Sequence, residues 1–137
     1  HCLEVSNGFK KDEFFERTCG MLHDSIEDTY ITYEILRENG FPEDVITVLD
    51  LVTRKDKQKY AEYITNIFDY DKNDYLRKVA IRIKLRDLDH NTDLTRLPKD
   101  KNINITLNRM KKYTATYMFL NEIILKEEYL QILSGLE

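Results

Sequence analysis

Residues 23 to 29 read His-Asp-Ser-Ile-Glu-Asp-Thr. His23 and Asp24 are adjacent and do not share one helix face, yet an ion at the edge between them can take both. Glu27 stands four residues after His23 and three after Asp24, and Asp28 stands four after Asp24. Those spacings bring side chains to one side of a helix. Imidazole together with carboxylate oxygen suits Mn, Fe, Zn or Mg. Read alone, the same residues also describe a solvated acidic stripe beside a surface histidine, because His-Asp pairs arise often by chance. A second group lies in KLRDLDHNTDL, Lys84 to Leu94. Asp87 and Asn91 are four apart and share a face if the segment is helical, with His90 on a neighbouring face. A solvated polar face is the competing reading there, and Lys84 and Arg86 read as surface groups. The third element is His1, 22 residues before His23. It is either part of the same constellation or the remnant of a tag.

These residues need elements to hold them. Asp12 to about Tyr30 is predicted to be a helix, with Phe14, Phe15, Thr18, Met21, Leu22 and Ile26 as one apolar face and Asp12 as cap or first-turn acid. A second helix runs from about Thr29 to Glu38 and stops at Asn39-Gly40. Pro42 starts a third in its first turn, with Val45, Ile46, Val48, Leu49 and Val52 as its apolar side. Thr53 to Lys59 is too polar for core and reads as a loop. Tyr60 to Phe68 is a short amphipathic helix, and Asp69 to Asn73 a turn. Asn73 to about Leu94 stays open between strand and helix. Val79, Ile81, Ile83 and Leu85 alternate as in a strand, but the segment is long for one and has no internal Gly or Pro. Leu97-Pro98-Lys99-Asp100 is a break. A long last helix covers about Asn104 to Ile132, with Ser134-Gly135 as its stop. Its Tyr117, Leu120, Ile124, Tyr129 and Leu133 are core or a homodimer face.

Of the 137 residues, 34% are charged and 42% hydrophobic, with four Gly and two Pro. The length suits one domain over residues 1–137, and the scarcity of Gly and Pro suits helices. A net charge of −4 argues against duplex nucleic acid, whose backbone is bound by clustered Lys and Arg. Cys2 and Cys19 are too few for a zinc knuckle and read as reduced thiols of a cytoplasmic protein. No apolar run reaches the ~20 residues of a membrane span, and no signal peptide is visible. The first residue is not Met, so native sequence upstream of His1 is expected.

Taken in order, His1, His23-Asp24, Glu27-Asp28-Thr29 and Lys84-Leu85 with Asp87 and Asn91 resemble the HD-domain phosphohydrolases. They are most similar to the hydrolase domain of RelA/SpoT-type enzymes and its short stand-alone relatives. Gly40 to Arg54 and the DLTRL run, Asp93 to Leu97, extend the resemblance over nearly the whole chain. It implies an all-α fold, an HD-domain bundle of about six or seven helices, and so favours helix over strand for Asn73 to Leu94. It implies one divalent ion, manganese above others, on His1, His23, Asp24 and Asp87. The reaction implied is hydrolysis of a phosphate or pyrophosphate ester of a nucleotide, such as guanosine 3'-diphosphate 5'-di(tri)phosphate. The ion would acidify a water and polarise a phosphoryl oxygen. Glu27 and Asp28 would orient or deprotonate the water, Asn91 would hydrogen-bond the sugar or a ligand, and Arg54 and Lys55 would meet phosphates. The family's Arg after the metal Asp is replaced by Leu88, a Thr of larger members by Leu94, and a usual Ala by Arg86. The basic segment that precedes the first histidine in well-known members is not part of this sequence. These departures motivate a second expectation, a non-catalytic nucleotide-binding or regulatory domain on the same fold.

Overall fold

The computed structural model describes residues 1–97 and 102–137. Its axis is the helix Asp74–Asn91. The Asn73 side chain caps it, accepting from the Leu76 amide at 3.1 Å. Leu76, Val79, Ala80, Ile83 and Asp87 are buried along it at three- and four-residue spacing, so the helical period wins over the alternation of Val79, Ile81, Ile83 and Leu85. Around it, in chain order, stand α1 (Cys2–Asn7), α2 (Phe14–Leu22), α3 (Ser25–Asp28), α4 (Tyr33–Glu38), α5 (Glu43–Val52) and α6 (Tyr60–Phe68). The axis itself is α7. A 3-10 turn at Leu94–Arg96, α8 (Ile103–Leu120) and α9 (Lys126–Ser134) follow. No strand forms among the described residues. Helix α7 packs on α1, α2, α5, α6 and α8. The expected break at Leu97-Pro98-Lys99-Asp100 lies, beyond Leu97, outside the described residues.

The all-α expectation holds, and the segments reach nine among the described residues because α1 is additional and two expected helices are divided. The first division falls at His23-Asp24. The His23 ring donates from Nδ1 to the Gly20 carbonyl at 2.7 Å. In an unbroken helix that carbonyl would take the Asp24 amide, so the side chain competes with the helix at the motif. The second division follows Leu120. Glu122 N–H donates to Phe119 O and Ile123 N–H to Met118 O, both at 2.9 Å, while Glu122 has φ 57°. This is the left-handed helix stop that usually carries Gly. Gly40, φ 83°, makes the same stop after α4: Gly40 N–H donates to Arg37 O and Phe41 N–H to Leu36 O. The turn at Glu122 folds α9 back so that Tyr129 and Leu133 are fully buried. The Tyr129 ring stacks on Phe119 at 4.6 Å. Of the residues read as core or dimer face, Leu120, Tyr129 and Leu133 are core, Ile124 packs against it and Tyr117 is exposed.

Candidate metal centre

Four side chains from three places in the fold meet at one point. His23 ends α2, and its bond to Gly20 O leaves Nε2 facing inward. Asp24 starts α3. His1 precedes α1, which lies against α2 where Gly20 has no side chain; a Cβ there would stand 3.2 Å from Ser6 Cα. Asp87 is the polar member of the buried α7 stripe. His1 Nε2 is 2.8 Å from Asp87 Oδ1 and 3.6 Å from Asp24 Oδ2. His23 Nε2 is 3.1 Å from Asp24 Oδ1 and 3.8 Å from Asp87 Oδ1.

His23 Nε2 is buried and has no hydrogen-bond partner, so its approach to Asp24 is ionic without hydrogen-bond alignment. A buried imidazole nitrogen between two carboxylates requires a positive centre, either a proton or a metal ion. Without an ion, burial opposes the imidazolium, but Asp24 and Asp87 outweigh it and raise the His23 pKa to about 10. Burial likewise pushes Asp87 up, and His23 and Lys84 overcome it, holding Asp87 at about 2. Ligand atoms ~2.1 Å from an ion stand ~3.0 Å apart in an octahedron and ~3.4 Å apart in a tetrahedron. The contacts above bracket those separations, and the ligating atoms of His1, His23 and Asp24 all lie within 4.8 Å of one another. His1, His23 and Asp24 therefore fit a divalent ion with mixed nitrogen and oxygen donors, and Asp87 stands beside them at 2.8 Å from His1 Nε2.

Beside this point is a cavity of about 180 Å³. His23, Asp24, Glu27 and Asp87 line one side; Arg54, Lys84 and Lys112 bring positive charge; Tyr60, Tyr63 and Tyr113 form much of the wall. Contrary to the surface reading of Lys84, its side chain is only 11% exposed. Its Nζ donates to Asp87 Oδ2 at 2.6 Å and sits 5.4 Å from the Tyr63 ring centre. Lys112 lies over Tyr60 at 4.5 Å. Burial lowers its pKa, and Arg54, Arg109 and Lys84 lower it further. Neither Lys112 nor Arg54 makes an ion pair among the described residues. The wall helix α6 is tied down in its first turn. Tyr63 Oη donates to Val52 O at 2.6 Å, and the Glu137 carboxylate accepts from the Tyr60 amide at 2.8 Å.

The other expected residues divide. Glu27 lines the cavity, and partial burial, then Asp28 and Asp24, raise its pKa. Asp28 is exposed and outside the cavity wall. Arg54 lines it, whereas Lys55 is exposed, lies outside it and gives its amide to Gln58 Oε1. Asn91 donates from Nδ2 to Asp87 Oδ1 at 2.6 Å, so it braces that carboxylate. Arg86 is half exposed and covers Gly8. Leu88 is in the core and Leu94 exposed. Sequence reasoning missed Lys112 and the three tyrosines. Lys84 did carry a signal, its i, i+3 relation to Asp87. No helix of the described residues is long and apolar enough to cross a membrane. No protein-family model matches the chain.

Proposed function

We propose that this chain is a metal-dependent phosphohydrolase acting on a phosphate or pyrophosphate ester of a nucleotide. The carrying observation is His23 Nε2, a buried nitrogen without a hydrogen bond, set between two carboxylates at the edge of a cavity lined by Arg54, Lys84 and Lys112. His1, His23, Asp24 and Asp87 would hold the ion, with manganese suited to their mixed donors. When bound, the ion supplies Lewis acidity toward water and a phosphoryl oxygen. Glu27 then serves as proton acceptor, since a raised carboxyl pKa favours proton exchange near neutral pH. Asp28 acts on it through charge. Arg54 and Lys112 take phosphate oxygens as charge-assisted donors, while Lys84 remains committed to Asp87. Whole ligand pockets run to ~300–1,000 Å³, so this cavity suits the phosphoryl part of a substrate with the nucleoside outside it.

The test is a nucleotide panel, including guanosine 3'-diphosphate nucleotides, assayed for phosphate and pyrophosphate release with and without Mn²⁺. Release that requires the ion and is lost in His23→Ala supports the proposal. Unchanged metal content and activity in His23→Ala would overturn it. A second reading, a nucleotide-binding domain without turnover, is favoured by Asp28 lying outside the cavity wall and by Leu88 occupying the core. Tight nucleotide binding with no hydrolysis by the ion-loaded protein would select it.

A further inference from the structure

We infer that His90 is a positioning residue for His1, fixing the ring so that Nε2 is presented to the ion; this rests on the metal-centre reading above. His1 Nδ1 and His90 Nδ1 are 2.6 Å apart. The two rings are parallel within 8° and their centres are 4.9 Å apart, 2.3 Å (4.9 less 2.6) more than the nitrogens. Rings in that relation meet edge to edge in nearly one plane, each nitrogen pointing at the other.

One of the two nitrogens must carry the proton and the other the lone pair. If His1 Nε2 is to offer its lone pair to an ion, the His1 proton belongs on Nδ1. His90 Nδ1 is then the acceptor, and the His90 proton sits on Nε2. An ion cannot lie between the two Nδ1 atoms, because cis ligands of one ion stand ~3.0 Å apart or more. The contact is therefore a hydrogen bond, and His90 is not a further ligand.

Two of the other proposed ligands are braced in the same manner. His23 leans on Gly20 O, and Asp87 receives Lys84 and Asn91. Metal-bound histidines give their second N–H to a carboxylate, carbonyl or water, which sets tautomer and ring angle. For His1 that acceptor would be the His90 ring, from the last turn of α7, the helix that also supplies Asp87 and Asn91. The His90 carbonyl in turn accepts from Arg96 Nη1 at 2.6 Å.

The experiment is titration of Mn²⁺ by calorimetry, and of Co²⁺ by visible absorption, into wild type, His90→Ala, His90→Asn and His23→Ala, with a melting curve for each. Asn can place its Oδ1 near the lost Nδ1 and accept the same proton. The expected result is affinity weakened roughly tenfold to a hundredfold in His90→Ala, with a changed Co²⁺ spectrum and recovery of both in His90→Asn. Wild-type affinity and spectrum in His90→Ala, with no binding by His23→Ala, would overturn the positioning role and leave the metal centre standing. An Asn variant as weak as the Ala variant would also overturn it, since the loss would then be packing. Wild-type binding by His23→Ala would remove the centre and the inference together.

Discussion

Replacing Lys84 by Met keeps an unbranched stem and removes the ammonium. Asp87 is 6% exposed, and Lys84 Nζ is its partner on Oδ2 at 2.6 Å. Breaking a buried ion pair from one side costs about 3–5 kcal/mol, because the remaining charge loses its compensation. The lower end applies here, since Asn91 and His1 still meet Oδ1. Over the 137 residues, an unfolding entropy of about 2.1 cal/mol/K per residue makes ~3 kcal/mol equal to ~10 °C in Tm. Melting followed by circular dichroism, in chelator and in Mn²⁺, reads this directly. Lys84→Met should melt ~10 °C below wild type in chelator. On the proposed metal centre the gap should narrow in Mn²⁺, since a bound ion would restore positive charge beside Asp87. Adding Asp87→Asn should recover part of the loss in chelator, because the orphaned charge is then gone. A Lys84→Met protein melting within about 2 °C of wild type in chelator, or a double variant whose losses simply add, would show that Lys84 does not compensate Asp87.

Glu122 sits at φ 57°, a region that costs an L residue ~1–2 kcal/mol and glycine almost nothing. Glu122→Gly should therefore stabilise by ~0.5–1 kcal/mol, after the added freedom of the unfolded chain is counted; an unchanged or lower urea midpoint would contradict the left-handed stop. Asp24 and Asp87 raise His23 to about 10 in the ion-free protein, against ~6.5 for an unfolded histidine. The folded form holds that proton more tightly, so the stability it contributes is complete below pH ~6.5 and is lost as pH rises through about 10. Ion-free urea midpoints should fall from pH 7 to pH 10, and the fall should be shallower in His23→Gln; an equal slope in both proteins would refute the assignment.

The sequence carried the helical segments wherever period and punctuation agreed. Gly40 announced the end of α4, and the apolar spacing of Val45 to Val52 announced α5. It failed where a residue acts against its type. Glu122 stops a helix without being glycine, and His23 interrupts one through its own side chain. For the site, His1, His23, Asp24 and Asp87 were legible as an ordered set through resemblance, and the structure brings all four together. Lys84 had its compensating acid in view at i, i+3, but its enclosure was not legible, because the tyrosines that cover it come from α6. Lys112 has no neighbour in sequence that marks it; it reaches the cavity through the packing of α8 on α7.

The contacts that build this centre join residues far apart along the chain: His1 to Asp87 across 86 positions, and the Glu137 carboxylate to Tyr60 across 77. Such contacts form only after large loops have closed, and loop closure costs entropy before any contact offsets it. Ion affinity should therefore emerge late in folding, when α1, α7 and α9 have all docked. A divalent ion binding here would act as a cross-link between distant parts of the chain, holding closed the very loops whose closure is slowest.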